Sequence, residues 1–190
     1  MSPNPARRSE RSRTAILTAA LELVQEVGYA KLTVEAIAAR AGVGKQTIYR
    51  WWPSKAAVMF DAFQRHNAAA QEQVVLPDTG DLAADLRLVL HETVAEFNDP
   101  AFASAYRALN TEVQDDPVLA EQLLERLLRP ALEAVKARLR TAGLPAGLDL
   151  DVAVEALYGP FYYRWLLRTG PLTTGYADRL LELWLRGVRA

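Results

Sequence analysis

Cysteine is absent from the 190 residues, which removes disulfides and thiolate nucleophiles and fits a reducing compartment. Histidine is nearly absent. His66 and His91 are the only two, with no second imidazole at ligand spacing, so no zinc site is expected and both read as surface or helix-packing residues. Of the five serines, three lie within the first twelve positions. Ser54 is better explained as a helix N-cap than as a nucleophile, which leaves Ser104. The paired carboxylates Asp115-Asp116 and Asp149 with Asp151 fall at expected helix starts, where an acid complements the macrodipole. Gly44-Lys45 does not complete a phosphate loop, because Ala39 stands in place of the first glycine and Gln46 in place of the Ser/Thr. Neither a catalytic residue, a metal nor a cofactor is expected, and an enzyme is not.

Long apolar runs are missing as well. No stretch of about 18 apolar residues offers a membrane span, and the opening MSPNPARRSERSR lacks the apolar core of a signal peptide. A cytoplasmic location without a membrane partner is the expectation. No alternating strand pattern and no internal repeat appear, so the chain reads as helix upon helix. At 51% hydrophobic it has the material to bury roughly 70% of its unfolded surface without a covalent staple.

The helices follow from apolar spacing and breaks. Residues 10–28 place Ile16, Leu17, Ala20, Leu23, Val24 and Val27 on one face and stop at Gly28; residues 54–74 carry Val58, Met59, Ala62 and Phe63 at core spacing until Pro77-Asp78-Thr79-Gly80. Further helices are expected over about 81–98, 101–114, 116–142, 149–169 and 174–188. They are separated by Asp99-Pro100, Asp116-Pro117, the stretch Gly143 to Gly147, and Thr169-Gly170-Pro171.

Net charge of −1 hides an asymmetry. Residues 1–66 carry 10 Lys/Arg against 5 Asp/Glu, a balance of +5, whereas residues 67–190 carry 12 against 18, a balance of −6. A basic head on an acidic body suits nucleic-acid binding confined to the head. Arg7, Arg8, Arg11 and Arg13 read as an arm ahead of the first helix, mobile without DNA, whose task is either a phosphate or minor-groove contact or simple solvation.

The densest pattern is TVEAIAARAGVGKQTIYRWWPSK at 33–55. Thr33 suits an N-cap, Val34, Ile37 and Ala38 recur at helical spacing, and Gly42 ends the helix. Gly42-Val43-Gly44 is a turn short enough to set a second helix at a steep angle, as a helix-turn-helix requires. Lys45, Gln46 and Thr47 are polar donors in the first turn of that helix, where base edges are read, while Ile48 points inward to Val34, Ile37 and Val43. Tyr49 and Trp51 carry a hydroxyl and an indole N–H suited to phosphate or sugar, and Arg50 adds a charge. Lys55 falls at the start of the next helix, where the macrodipole disfavours a cation, so a phosphate partner explains it better than helix stability does. With Thr33 these eight residues form the expected DNA contact set; Lys45 to Thr47 as a solvated turn and Tyr49 and Trp51 as core aromatics are the alternatives.

The run from Arg13 to Phe63, above all GVGKQTIYRWWPSKAAVMFDAF at 42–63, resembles the DNA-binding domain of the TetR family of bacterial transcriptional regulators. YGPFYYRWLLRTGPLT at 158–173 resembles the C-terminal pattern of some members. Gly44 departs from the family's frequent Ser, and Trp51-Trp52 from its usual Tyr or His followed by Phe. The resemblance implies an all-α, nine-helix homodimer, with a DNA-binding domain over 1–53 and a helical ligand-binding and dimerisation domain over 54–190. It implies a double-stranded DNA operator and a small-molecule inducer as partners, hence a ligand-responsive repressor on a palindromic operator. The alternative is a helical small-molecule-binding or protein-interaction module that does not bind DNA.

The C-terminal part is rich in aromatics. Phe102, Tyr106, Arg107 and Phe161 are the candidates for a ligand pocket, with Arg107 able to receive a carboxylate inside an apolar wall, or instead to pair with Glu112 or Asp99. The stretches 149–169 and 174–188 carry apolar residues on nearly every face, which implies a partner surface; Tyr158, Tyr162, Leu181 and Trp184 are its candidates. Gly159-Pro160 is expected to bend the earlier helix or permit close approach.

Overall fold

The computed structural model describes the backbone of residues 5–71 and 76–189 and the side chains of residues 9–66 and 76–189. Among the described residues every regular element is helical. The elements are α1 (Pro5–Val27), α2 (Val34–Ala41), α3 (Lys45–Tyr49), α4 (Lys55–Gln71), α5 (Leu82–Asn98), α6 (Pro100–Glu112), α7 (Pro117–Leu123), a π turn (Leu124–Leu128), α8 (Arg129–Arg140), α9 (Leu150–Leu167) and α10 (Thr174–Val188), with a 3-10 turn at Tyr29–Lys31. Counting 117–140 as one helix, as the expected helix over 116–142 does, gives nine among the described residues. The π turn inside it is a shift of hydrogen-bond register that apolar spacing does not reveal.

The caps fall where their chemistry predicts. Thr33 Oγ1 accepts from the Ala36 N–H (3.1 Å), Ser54 Oγ from the Ala57 N–H (3.1 Å), Asp116 from the Leu119 N–H (2.9 Å) and Asp149 from the Asp151 N–H (2.9 Å). The acids expected as cap residues thus hold otherwise orphaned amide donors. The start of the chain differs from expectation. α1 runs over Pro5–Val27, so the four arginines expected to form an arm lie within the helix; the side chains of Arg7 and Arg8 fall outside the described residues. Val27, expected on the buried face, is 43% exposed.

Two compact units form, one from α1–α4, α6 and α7 and the other from α5, the π turn, α8, α9 and α10. They differ from a division at residue 53, since α4 and α6 pack with α1 beside the helix-turn-helix. In the first unit Ile16, Ala20, Ile37, Ile48, Val58, Met59, Ala62, Phe63 and Leu109 are sealed from solvent. This core fixes α2 and α3 against α1 and α4, so the face turned outward is set by what lies beneath.

In the second unit Leu86 and Leu90 of α5, Leu139 of α8, Leu157 and Phe161 of α9 and Leu181 of α10 form the centre. One ion pair is buried with them. The Arg138 Nε donates to Asp85 Oδ2 at 2.8 Å, and the Thr79 hydroxyl donates to Asp85 Oδ1 at 2.7 Å. Burial opposes ionisation of Asp85, but the hydrogen bonds from Thr79 and Arg138 and the guanidinium charge outweigh it and hold the carboxyl below its ordinary range. Pro160 lies inside α9 without interrupting it, at the cost of one backbone donor.

Candidate nucleic-acid interface

Gly42 closes α2 in the left-handed region (φ 66°), which a side chain would strain, and its neighbour's amide, Val43 N–H, returns to the Ala38 carbonyl at 3.0 Å. α3 then follows with Gly44 as its N-cap, whose carbonyl accepts from Thr47 N–H at 2.8 Å but which has no side chain to cap with. Ile48 is fully buried. Its neighbours therefore face the other way: Lys45, Gln46, Tyr49 and Arg50 are exposed and Thr47 and Trp51 are half-buried. Tyr49 is 51% exposed, which leaves its hydroxyl outside the core.

The exit of α3 is held by a small aromatic and charged cluster. The Trp52 Nε1–H donates to Asp61 Oδ2 at 2.9 Å, and Arg13 donates to the same oxygen at 3.0 Å while lying 5.9 Å from the Trp52 ring. Trp51 meets Trp52 edge to face at 5.5 Å, and Arg50 lies 5.0 Å over the Trp51 ring. The Trp51-Trp52 pair thus splits its work, Trp52 as a core anchor and Trp51 as a platform that orients a surface cation. Sequence reasoning misses Asp61, although an acid among the apolar residues of α4 is bound to need a donor.

Other basic groups are engaged locally. Arg40 pairs with Glu26 (2.7 Å) and Glu22 (3.3 Å) of α1, and Lys45 lies 3.5 Å from Glu35. The last pair is well exposed, so it holds Lys45 weakly. Lys55 donates to the Tyr29 carbonyl at 3.1 Å and lies 3.9 Å from the Tyr29 ring centroid. Its ammonium retains two further N–H donors. Thr33 is exposed at the start of α2, its Oγ1 used as the cap.

The four ligand candidates do not share one environment. Phe102 and Tyr106 are buried in the first unit against Phe63, at 4.9 and 5.4 Å between ring centroids. Arg107, on another face of α6, lines a cleft of about 400 Å³ with Tyr29, Lys55 and Glu112. Phe161 lies in the core of the second unit, where its ring meets Tyr176 at 5.9 Å.

Two of the candidate dimer residues are consumed by the chain's own core. Leu181 is fully buried, and the buried Trp184 donates its Nε1–H to the Ala153 carbonyl at 2.8 Å. Tyr158 and Tyr162 are half-buried. The apolar surface that does face outward on α9 is Val152, Tyr163, Leu166 and Leu167, with Ala156 and Gly159 exposed between them, and on α10 Leu183. Positions 152, 156, 159, 163 and 166 are spaced four, three, four and three, the stripe of a packing helix. That spacing is legible in the sequence, but continuous apolar character on all sides of α9 conceals which stripe is outside.

A rigid helix pair with a tight glycine turn, an inward Ile48 and an outward polar turn defines a helix-turn-helix DNA-binding regulator. The family model described as "Bacterial regulatory proteins, tetR family" matches residues 16–62, and that described as "Tetracyclin repressor-like, C-terminal domain" matches residues 76–184. The chain is 35% identical over 188 residues to the uncharacterised HTH-type transcriptional regulator YdeS of Bacillus subtilis (strain 168), covering 96% of this chain and 92% of that one. It is 29% identical over 180 residues to the DNA-binding transcriptional repressor TetR of Mycobacteroides abscessus, covering 92% of each. The crystal structure of the TetR family transcription regulator SCO0332 superposes with a TM-score of 0.69 at 30% identity, over 93% of this chain and 98% of that one. The chain belongs to the TetR family of transcriptional regulators.

Among the described residues, no helix is long and apolar enough to cross a membrane.

Proposed function

We propose that the protein is a cytoplasmic, ligand-responsive repressor that binds a palindromic operator as a homodimer and leaves it when a small-molecule inducer binds. The outward first turn of α3, held by the fully buried Ile48, carries this reading. Lys45, Gln46 and Thr47 meet base edges, and Thr33, Tyr49, Arg50, Trp51 and Lys55 meet phosphate and sugar. A relative whose name is DNA-binding transcriptional repressor supports repression. The outward stripe of α9 with Leu183 of α10 supports a homodimer through four helices. Two recognition helices then enter successive major grooves about 34–36 Å apart, and an inducer that favours another spacing releases the DNA.

Sequencing the genomic fragments that the purified protein retains tests the proposal. Enrichment of a two-fold symmetric site with half-sites about 10 bp apart, or a multiple, is expected. Retention without sequence preference would overturn the operator reading.

A further inference from the structure

The sequence suggests separate tasks for Arg107 and Lys55, yet within the first unit they line one cleft. The spacing of α6 explains this. Phe102, Ala105, Tyr106 and Leu109 are buried on one side, and Ser104, Arg107 and Thr111, at steps of three and four, lie on the other. The cleft measures about 400 Å³, within the range of small-molecule sites. Val24, Ala30 and Ala108 give it apolar lining. Its charges are two cations, Lys55 and Arg107, against the single carboxylate of Glu112.

The Tyr29 hydroxyl adds a third donor. It is buried beside the Glu112 carboxylate but outside full hydrogen-bond geometry with it, a costly state for a buried polar group. Burial, then the charge of Glu112 and a hydrogen-bonding interaction with it, push the phenol up, so the proton stays on the oxygen as a donor. A guanidinium, an ammonium and a phenol O–H together are rich in donors. The ligand that suits them has an acceptor-rich, negatively charged head and a small apolar body to cover Val24, Ala30 and Ala108. Inorganic phosphate satisfies the first requirement and wastes the second.

We infer that this cleft is a binding site for a small organic monocarboxylate, with Arg107 and Lys55 on the carboxylate and Val24, Ala30 and Ala108 against its apolar body. Resting on the proposed phosphate contact of Lys55, a further consequence follows. A bound carboxylate draws the ammonium away from DNA, so carboxylate and DNA weaken each other's binding reciprocally.

Calorimetric titration of the full chain with benzoate, without DNA, tests the site. One saturable site per chain is expected, weakened at least tenfold in Arg107→Gln, the scale of a lost charge-assisted hydrogen bond. Thr111→Phe, an exposed position on the cleft lining, is expected to obstruct uptake without disturbing the fold as judged by circular dichroism. Inorganic phosphate is expected to bind at least tenfold more weakly than benzoate. Absence of saturable uptake, uptake unaltered in both variants, or phosphate binding as tightly as benzoate would each overturn the site. A second titration measures DNA affinity with and without benzoate, and weakening in benzoate is expected. Bound benzoate with unchanged DNA affinity overturns the link to Lys55. Failure to bind DNA in the absence of benzoate counts against the DNA-reading proposal, while the cleft still stands or falls by calorimetry alone.

Discussion

Ile48 and Gln46 lie two residues apart on α3 and face opposite worlds, one sealed in the core and the other in solvent. Their substitutions should separate accordingly. Ile48→Ala is expected to cost about 2–5 kcal/mol of stability through lost burial and a residual cavity, measured by urea denaturation. Gln46→Ala is expected to stay within about 0.5 kcal/mol in the same experiment, while relaxing DNA specificity at one base position. Lys45→Ala distinguishes a phosphate from a base contact, because loss of a phosphate partner lowers affinity across all sequences and flattens the log–log salt dependence by about one unit. Relaxed specificity at one position is expected for the proposed base contact, and a flattened salt slope with unaltered specificity would move Lys45 to the phosphate group. At this scale the sequence is most legible where a residue acts through its neighbours in the chain: Thr33, Ser54, Asp116 and Asp149 as caps and Gly42 as a stop need only local rules. The partners of Asp61 and Asp85 are hidden, because Arg13 and Arg138 lie far off in sequence and meet them only through helix packing.

Between elements, the buried Asp85–Arg138 pair ties the start of α5 to the end of α8. Removing one partner strands the other charge away from water, so Arg138→Met should lower the urea midpoint clearly, whereas the double change Asp85→Leu with Arg138→Met should recover much of the loss. The pair also sets an acid limit. Because the folded carboxyl titrates below its unfolded value, its contribution is fully present above the ordinary Asp range of about 3.9 and is lost as pH falls through the lower folded value. Thermal unfolding of the wild type followed into that acid window should show a steeper decline than that of Asp85→Leu/Arg138→Met; matching acid profiles would remove the pair as its cause. Helix order and breaks are readable from apolar spacing, and α10 falls at the expected 174–188. The π turn at Leu124–Leu128 is not, since a register shift leaves the apolar pattern of a long helix almost unchanged.

For the molecule as a whole, the basic first third and acidic remainder predict DNA binding that falls steeply with salt, as counterions are released from one localised face. The outward stripe of α9 and Leu183 of α10 predict a particle of twice the 21.0 kDa chain mass in sedimentation. Tyr163→Glu with Leu167→Glu, both exposed in the single chain, should shift that particle to monomer and weaken operator binding together, by placing charges in an apolar contact. A dimer that survives both glutamates would locate the interface elsewhere. The family is legible because the helix-turn-helix compresses its constraints into 23 consecutive residues, TVEAIAARAGVGKQTIYRWWPSK. The ligand candidates are not, because aromatic density does not reveal whether a ring such as Phe102 faces another ring or a cavity; here it faces Phe63.

The central claim is that the outward face of α3 reads DNA. Its most direct test is fluorescence anisotropy of the retained genomic site with the wild type and with Lys45→Ala/Gln46→Ala/Tyr49→Ala, three exposed positions whose loss spares the core. With each good contact contributing about 1–3 kcal/mol, the triple variant should lose at least a hundredfold in affinity while keeping its helicity and its urea midpoint. Wild-type affinity in a folded triple variant would contradict the account.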